Sequence, residues 1–131
     1  MRPVALSPLR GGRWLAAWRC SVAGLRHAFG HEAAFRQEVI AFAVLAPLAI
    51  WLPVPAVERL LIVASMLLVM VVELLNSAVE ATVDRISLDR HPLSGQAKDL
   101  GSAAVTVALL ISALCWSVFG WPVLAGWLAG R

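Results

Sequence analysis

Three stretches of this chain are too long and too apolar to be the interior of a small water-soluble domain. Val39 to Val57 carries no charge, and Leu60 to Val83 is interrupted only by Glu73 and Glu80 among ionisable residues. A third stretch runs uncharged from Leu100 through Gly130. A membrane-spanning helix needs roughly 20 apolar residues, and each stretch supplies about that many or more. The chain has 131 residues, of which 60% are hydrophobic and 15% charged, against roughly 45–50% and 25% in soluble domains. A soluble domain of this size buries only about 60–70% of its surface, so lipid must solvate much of this one. The expected fold is an all-α membrane protein forming a single domain over residues 1–131, with spans at about 39–57, 60–84 and 98–124. The connection from Pro53 to Arg59 is short, which makes the first two spans an antiparallel hairpin. Pro122 is expected to end or kink the third.

A different kind of segment, residues 12–37, precedes the spans. Trp14, Trp18, Val22, Leu25 and Phe29 fall within an arc of about 80° on a helix, with Arg13, Arg19, Arg26 and His27 away from it. This pattern predicts an amphipathic helix in the membrane interface, arginines towards headgroups, with a bend near Gly30. Arg2, Arg10, Arg13, Arg19, Arg26 and Arg36 precede the first span, and Arg85, Arg90 and Lys98 lie between the second and third. Only Arg59 and Arg131 fall on the other side. The positive-inside rule then puts the N-terminus and second loop in the cytoplasm. The net charge of +3 and pI near 9.7 therefore point to anionic headgroups rather than nucleic acid. No early apolar run with a cleavage site marks a signal peptide, and disorder is expected only in about the first ten residues. Cys20 and Cys115 stand alone, without the spacing of a zinc site or a disulfide framework.

The second span contains E-L-L-N-S-A-V-E-A-T-V-D-R, Glu73 to Arg85. Glu73, Asn76, Glu80 and Asp84 recur at i, i+3, i+7 and i+11, so three carboxylates and an amide share one helix face about 80° wide, with Ser77 beside it. An ionised residue at the centre of a span costs about 2.5–3.5 kcal/mol on insertion scales. Such a stripe must face a bundle interior or a wet site. Two readings follow: a chemical site, or acids that glue helices together by pairing with Lys98 or Arg85. Glu32 and Glu38 flank the start of the first span. The second loop, Ser87 to Ser102, is the largest polar connection, and Lys98 and Asp99 stand where the chain re-enters the membrane. Lys98, Ser102 and Thr106 share a face, and Lys98 either serves a site or snorkels to headgroups. Acids suit phosphoryl transfer because Mg²⁺ takes oxygen ligands, and a lysine neutralises phosphate charge. Neither a Walker sequence nor the Gly-rich loop of protein kinases is present. The residues alone define a helical membrane protein with an acidic site at its cytoplasmic side.

The Glu73–Arg85 run closely resembles the signature of the prokaryotic diacylglycerol kinase family. So do H-E-A-A-F-R-Q-E, His31 to Glu38, and L-S-G-Q-A-K-D-L-G-S, Leu93 to Ser102. The three motifs stand in the family's order, and the resemblance extends from about Arg13 to Trp121. Its wording is similar to the Gram-negative branch rather than to the related undecaprenol kinases.

The resemblance implies a homotrimer with shared active sites and ATP- and Mg²⁺-dependent phosphorylation of 1,2-diacylglycerol to phosphatidate at the bacterial inner membrane. It makes Glu73 the general base and Asn76 the residue that orients it, with Glu32 and Glu80 holding Mg²⁺. Arg13, Cys20, Glu32, Glu80, Asp89, Arg90, His91, Lys98 and Asp99 match nucleotide-contacting positions. The lipid would meet Arg26, Ala34, Phe35, Arg36, Gln37, Glu38, Trp51, Arg59, Glu73, Ser102 and Trp116. Ala23, Gln96 and Cys20 depart from the family pattern at the lipid and nucleotide periphery, where they bear on affinity rather than chemistry. The alternatives are an undecaprenol kinase, a small proton-coupled multidrug transporter, which also needs an intramembrane glutamate, and a non-enzymatic membrane assembly factor.

Overall fold

A computed structural model describes residues 12–130, and all of its regular elements are helical. Arg2, Arg10 and Arg131, which contribute to the charge asymmetry, and the first ten residues lie outside the described part. Helix α1 spans Gly12–His31, α2 Ala33–Trp51, α3 Ala56–Ile86 and α4 Pro92–Cys115. A π-helical turn, Trp116–Gly120, leads into α5, Trp121–Leu128. Three helical stretches are long and apolar enough to cross a membrane: Ala33–Trp51, Ala56–Ile86 and Pro92–Leu128. The chain is a multi-pass membrane protein with α3 at its centre, packed against both α2 and α4.

Prolines set most of the boundaries, and they move them from the expected positions. The residue before a proline is pushed out of the α region. Leu52, before Pro53, has φ −62° and ψ 135°, so α2 stops at Trp51 rather than near residue 57. Pro55 precedes α3 with φ −53° and ψ 150°. At the other end α2 begins at Ala33, six residues before the uncharged stretch, so the Ala33–Glu38 segment belongs to the span helix and not to the preceding one. The bend expected near Gly30 lies instead at Glu32, whose φ −99° and ψ 113° are extended. Gly30 remains inside α1. The third span begins earlier than expected, because Pro92 starts α4 at its first turn, where a missing N–H costs nothing. His91 caps that helix, its Nδ1 accepting from the Leu93 N–H at 3.2 Å. Pro122 does perturb the third span. Its ring opposes the carbonyl four residues back, and the helix widens into the π turn just before it.

The buried face of α3 reads Ile62, Ser65, Met66, Val69 and Glu73, the i, i+3, i+4, i+7, i+11 spacing of a single helix face. Ala49, Ile62 and Met66 form the core, with Phe42, Leu45, Val63, Cys115, Trp116 and Phe119 around it. The acidic residue Glu73 therefore continues the apolar seam. Facing it, α4 offers a row of small residues, Gly101, Ala108 and Ser112, which lets the two backbones approach closely. Ser65 ties this seam, donating to the Ile62 carbonyl at 2.7 Å and lying 3.4 Å from Ser112 Oγ. At roughly 1.5 Å per residue α3 is about 46 Å long, well beyond an apolar bilayer core of about 30 Å. The helix is therefore longer than the apolar layer is thick.

Candidate active site

Glu73 is the centre of the acidic group, only 6% exposed although it carries a carboxylate. It is buried because it occupies the seam position after Val69, where α2 and α4 both cover α3. Glu32 and Glu80 lie close enough to act electrostatically on Glu73, and Glu73 in turn acts on Glu38. The break at Glu32 brings this about. An uninterrupted α1–α2 helix would not turn the chain there, whereas the extended residue lets α1 fold back beside α3. A cleft of about 520 Å³ between them is lined by Ser21, Leu25, His27 and Glu32 on one side and Leu74, Ser77 and Ala81 on the other.

One turn beyond Glu73, Asn76 donates from Nδ2 to Glu80 Oε1 at 3.0 Å. Its Oδ1 is buried without a hydrogen-bond partner. Next along the stripe, Asp84 pairs with Lys98 of α4 at 2.6 Å. This is the one ion pair among the described residues, and it gives Asp84 the basic partner that the glue reading requires. Among the described residues no basic side chain is paired with Glu73 or Glu80.

Two further features surround the acids. An apolar cavity of about 250 Å³ lies between α2, α3 and α4, lined by Glu38, Phe42, Leu45, Met66, Val69 and Trp116 among others. Glu38 Oε2 and Trp116 Nε1, an acceptor and a donor, are both buried there without partners. A buried polar group left unpaired costs about 1–3 kcal/mol. At the polar end, Asp84, Asp89, Arg90, His91 and Lys98 line an open cleft of about 470 Å³ in the α3–α4 connection.

The remaining sequence candidates fall in four places. Phe35 is buried, while Ala34 and Gln37 are exposed. Arg36 does not point into the acid group. Its Nη1 donates to the carbonyls of Phe29 and Gly30, each at 3.2 Å, and so closes the end of α1. Arg13, Cys20 and Arg26 are exposed along α1, and Asp99 and Ser102 along α4. Trp51 and Arg59 are not brought near Glu73. They flank the α2–α3 hairpin, and Arg59 is about 21 Å from Glu73 along α3. The Arg59 guanidinium instead donates to the Leu52 and Val54 carbonyls at 3.0 and 3.2 Å. Sequence reasoning missed Gly101, which backs Asn76, and Met66 and Val69, which line the apolar cavity.

The family model described as prokaryotic diacylglycerol kinase matches residues 19–119. The chain belongs to the prokaryotic diacylglycerol kinase family. The chain is also similar to curated members of that family. It is 53% identical over 115 residues to a diacylglycerol kinase of Pseudomonas aeruginosa, covering 85% of this chain and 94% of that protein. It is 51% identical over 98 residues to the Escherichia coli K12 diacylglycerol kinase, covering 75% and 80%. A Helicobacter pylori diacylglycerol kinase is 40% identical over 93 residues, 71% of this chain and 73% of the other. Membership makes this prokaryotic diacylglycerol kinase family chain an enzyme of the kinase class, with ATP as its phosphoryl donor.

Proposed function

We propose that this chain transfers the γ-phosphoryl group of ATP to the primary hydroxyl of 1,2-diacylglycerol, giving phosphatidate and ADP at the cytoplasmic face of the bacterial inner membrane. The observation that carries the reading is Glu73. A membrane helix holds this carboxylate 6% exposed, with no paired cation among the described residues and other carboxylates around it. Burying a charge without compensation is expensive, so the arrangement calls for a chemical role. Glu73 is the base. As the lipid oxygen attacks the γ-phosphorus, the hydroxyl proton passes to a Glu73 carboxylate oxygen. The new P–O bond forms while the bond to the β–γ bridging oxygen breaks, and ADP leaves.

The donor set fits Mg²⁺ arriving with ATP. Among the described residues no three or more His, Cys, Asp or Glu side chains are arranged as a metal site. Mg²⁺ is characteristically held by one or two carboxylates, waters and substrate phosphates, so a partial protein set is what such an ion needs. Glu32 and Glu80 would hold it, and when bound it neutralises charge on the phosphates. Asn76 fixes Glu80 through its amide. The cleft with Arg90, His91 and Lys98 takes the nucleotide, joined by Arg13, Cys20, Asp89 and Asp99. Lipid lies against Arg26, Ala34 to Glu38, Ser102 and Trp116. The apolar cavity with its orphaned acceptor and donor supports a glycerolipid there, which is apolar with a few polar atoms. Trp51 and Arg59 can meet only the far ends of acyl chains.

In this reading α1 lies in the interface. Trp14 and Trp18 are 82% and 68% exposed on the isolated chain, as lipid-facing aromatics would be. The basic residues before α2 and in the α3–α4 connection support a cytoplasmic N-terminus. The active unit is a homotrimer with sites between subunits, supported by exposed apolar α4 positions such as Leu110 and Leu114, which must face lipid or another copy.

Purified protein in diacylglycerol vesicles with radiolabelled ATP tests the reading. Glu73→Gln should abolish labelled phosphatidate while assembly persists, and activity within a few-fold of wild type removes Glu73 as the base. Preferential labelling of undecaprenol in a mixed panel reassigns the substrate.

A further inference from the structure

The π turn Trp116–Gly120 interrupts the third membrane span just before Pro122. Single π turns inside α-helices concentrate at functional sites. This one opens at Trp116, whose carbonyl accepts from the Trp121 N–H five residues on. Gly120 closes it with φ −86° and ψ −48°, a helical conformation that does not call for glycine. The indole does. A β-carbon on residue 120 would lie 2.5 Å from Trp116 Cε3 and 2.9 Å from Cζ3, so the benzo ring rests on the glycine backbone. The same ring packs against the Ala49, Ile62 and Met66 core, which leaves it little room to retreat. Cε3 and Nε1 belong to opposite edges of an indole. Seating the Cε3 edge on Gly120 turns the Nε1 edge away, and Nε1 is buried without a hydrogen-bond partner.

We propose that Gly120 is a positioning residue: by seating the Trp116 ring, the π turn aims the indole N–H at an ester carbonyl of the lipid substrate. The inference rests on the lipid kinase reading above. Trp116 lines the apolar cavity of about 250 Å³, and an indole N–H can only donate. Glu38 Oε2 in that cavity does not take the bond, since it too has no partner. With the lipid hydroxyl committed to Glu73, the polar atoms left in diacylglycerol are its ester oxygens, which only accept. Val69, which also lines the cavity, lies one turn before Glu73 on the buried face of α3. A lipid whose hydroxyl meets Glu73 therefore carries its ester, a few bonds away, towards this cavity. An isoprenoid alcohol has no carbonyl to offer, so the contact selects glycerol esters.

The test compares 1,2-dioctanoylglycerol with its dialkyl diether, which keeps the shape and hydroxyl but lacks the carbonyls, on full-length protein in mixed micelles. Wild type should favour the diester in kcat/KM by about fivefold, the scale of one hydrogen bond. Gly120→Ala and Trp116→Phe should each erase that preference by raising the diester KM, with the MgATP KM unchanged. The double variant should be no worse than Trp116→Phe alone. Alanine is the better helix former, so a merely structural glycine predicts no loss of preference. Pro122→Ala, which keeps Gly120 but releases the turn, should lower the preference in the same direction. Without ATP, the diester should move the Trp116 indole N–H proton downfield in wild type and leave it in place in Gly120→Ala. A preference that survives in Gly120→Ala, or an unmoved indole proton in wild type, overturns the inference and leaves the kinase reading standing. Failure of wild type to phosphorylate either lipid sinks the kinase reading, whereas a diester-dependent indole shift that Gly120→Ala loses still upholds the contact.

Discussion

The Asn76 side chain fills the space that a β-carbon on residue 101 would need: an added Cβ at Gly101 collides with Asn76 Oδ1. Asn76 cannot simply swing aside, because its Nδ2 is committed to Glu80 Oε1 at 3.0 Å. Gly101→Ala must either push α4 away from α3 or break that bond. Overpacking of this kind costs about 1–3 kcal/mol. The expected result is a fall in turnover of tenfold or more with the folded assembly retained, read by phosphatidate formation and by size-exclusion chromatography. Near-normal turnover would show that the Asn76–Glu80 contact is dispensable.

Arg36 offers a sharper choice between two roles. The family resemblance gives it to the lipid, while the structure gives its guanidinium to the carbonyls that end α1. Those carbonyls lie just before the break at Glu32, so Arg36→Ala should loosen Glu32. The KM for MgATP should rise several-fold with little change for diacylglycerol. Arg36→Lys should rescue only partly, since an ammonium lacks the planar fork. A change confined to the diacylglycerol KM would return Arg36 to the lipid.

The contrast between Glu73 and Arg36 shows what the sequence made legible. Glu73 was readable because a carboxylate inside an apolar run breaks the composition of its own neighbourhood, and helical spacing then ties it to Asn76 and Glu80. The three spans were readable for the same reason. Arg36 lies in a polar stretch where any direction suits it, so its partner depends on the break at Glu32, a dihedral feature with no sequence marker as plain as Gly or Pro. The prolines were visible, but the effect of Pro53 on Leu52 moved the end of α2 by six residues. Gly101 had a signal that went unused, the small residues Gly101, Ala108 and Ser112 recurring along one α4 face. The apolar cavity had none, since Met66 and Val69 look like any lipid-facing pair until α2 and α4 are in place.

Lys98 and Asp84 are 2.6 Å apart, yet their side chains are 38% and 47% exposed. Such a pair contributes about 0–1 kcal/mol, too little to explain a lysine held at the mouth of the polar cleft. Lys98→Met should therefore leave thermal stability nearly unchanged and reduce kcat/KM for MgATP by tenfold or more. Asp84→Asn should keep most of the activity, because the lysine remains free to meet phosphate. A large stability loss in both variants with unchanged kinetics would make the pair structural.

The proposed metal position predicts a different signature again. Glu32→Gln and Glu80→Gln each remove one charged oxygen ligand while keeping the size of the side chain. Each should shift the Mg²⁺ titration of activity to higher concentration, with partial recovery at excess Mg²⁺. Glu73→Gln should show no such recovery. An unchanged titration in both variants would reject the assignment.

Arg59 is where stability and chemistry should separate most cleanly. Its guanidinium is half-buried and donates to the carbonyls of Leu52 and Val54, residues that are 0% and 8% exposed. The extended turn forced by Pro53 leaves those carbonyls without helical partners; the Leu52 carbonyl accepts from the Val54 N–H at 2.8 Å, and Arg59 adds a charged donor to both from the first turn of α3. Hydrogen bonds from a charged group contribute about 1.5–3 kcal/mol. Arg59→Met keeps the stem and removes the donor, so unfolding in mixed micelles should become easier by roughly that amount. The site about 21 Å away along α3 should be untouched, and activity per folded molecule should stay within a factor of two. A selective rise in the diacylglycerol KM, with stability intact, would instead make Arg59 a lipid contact.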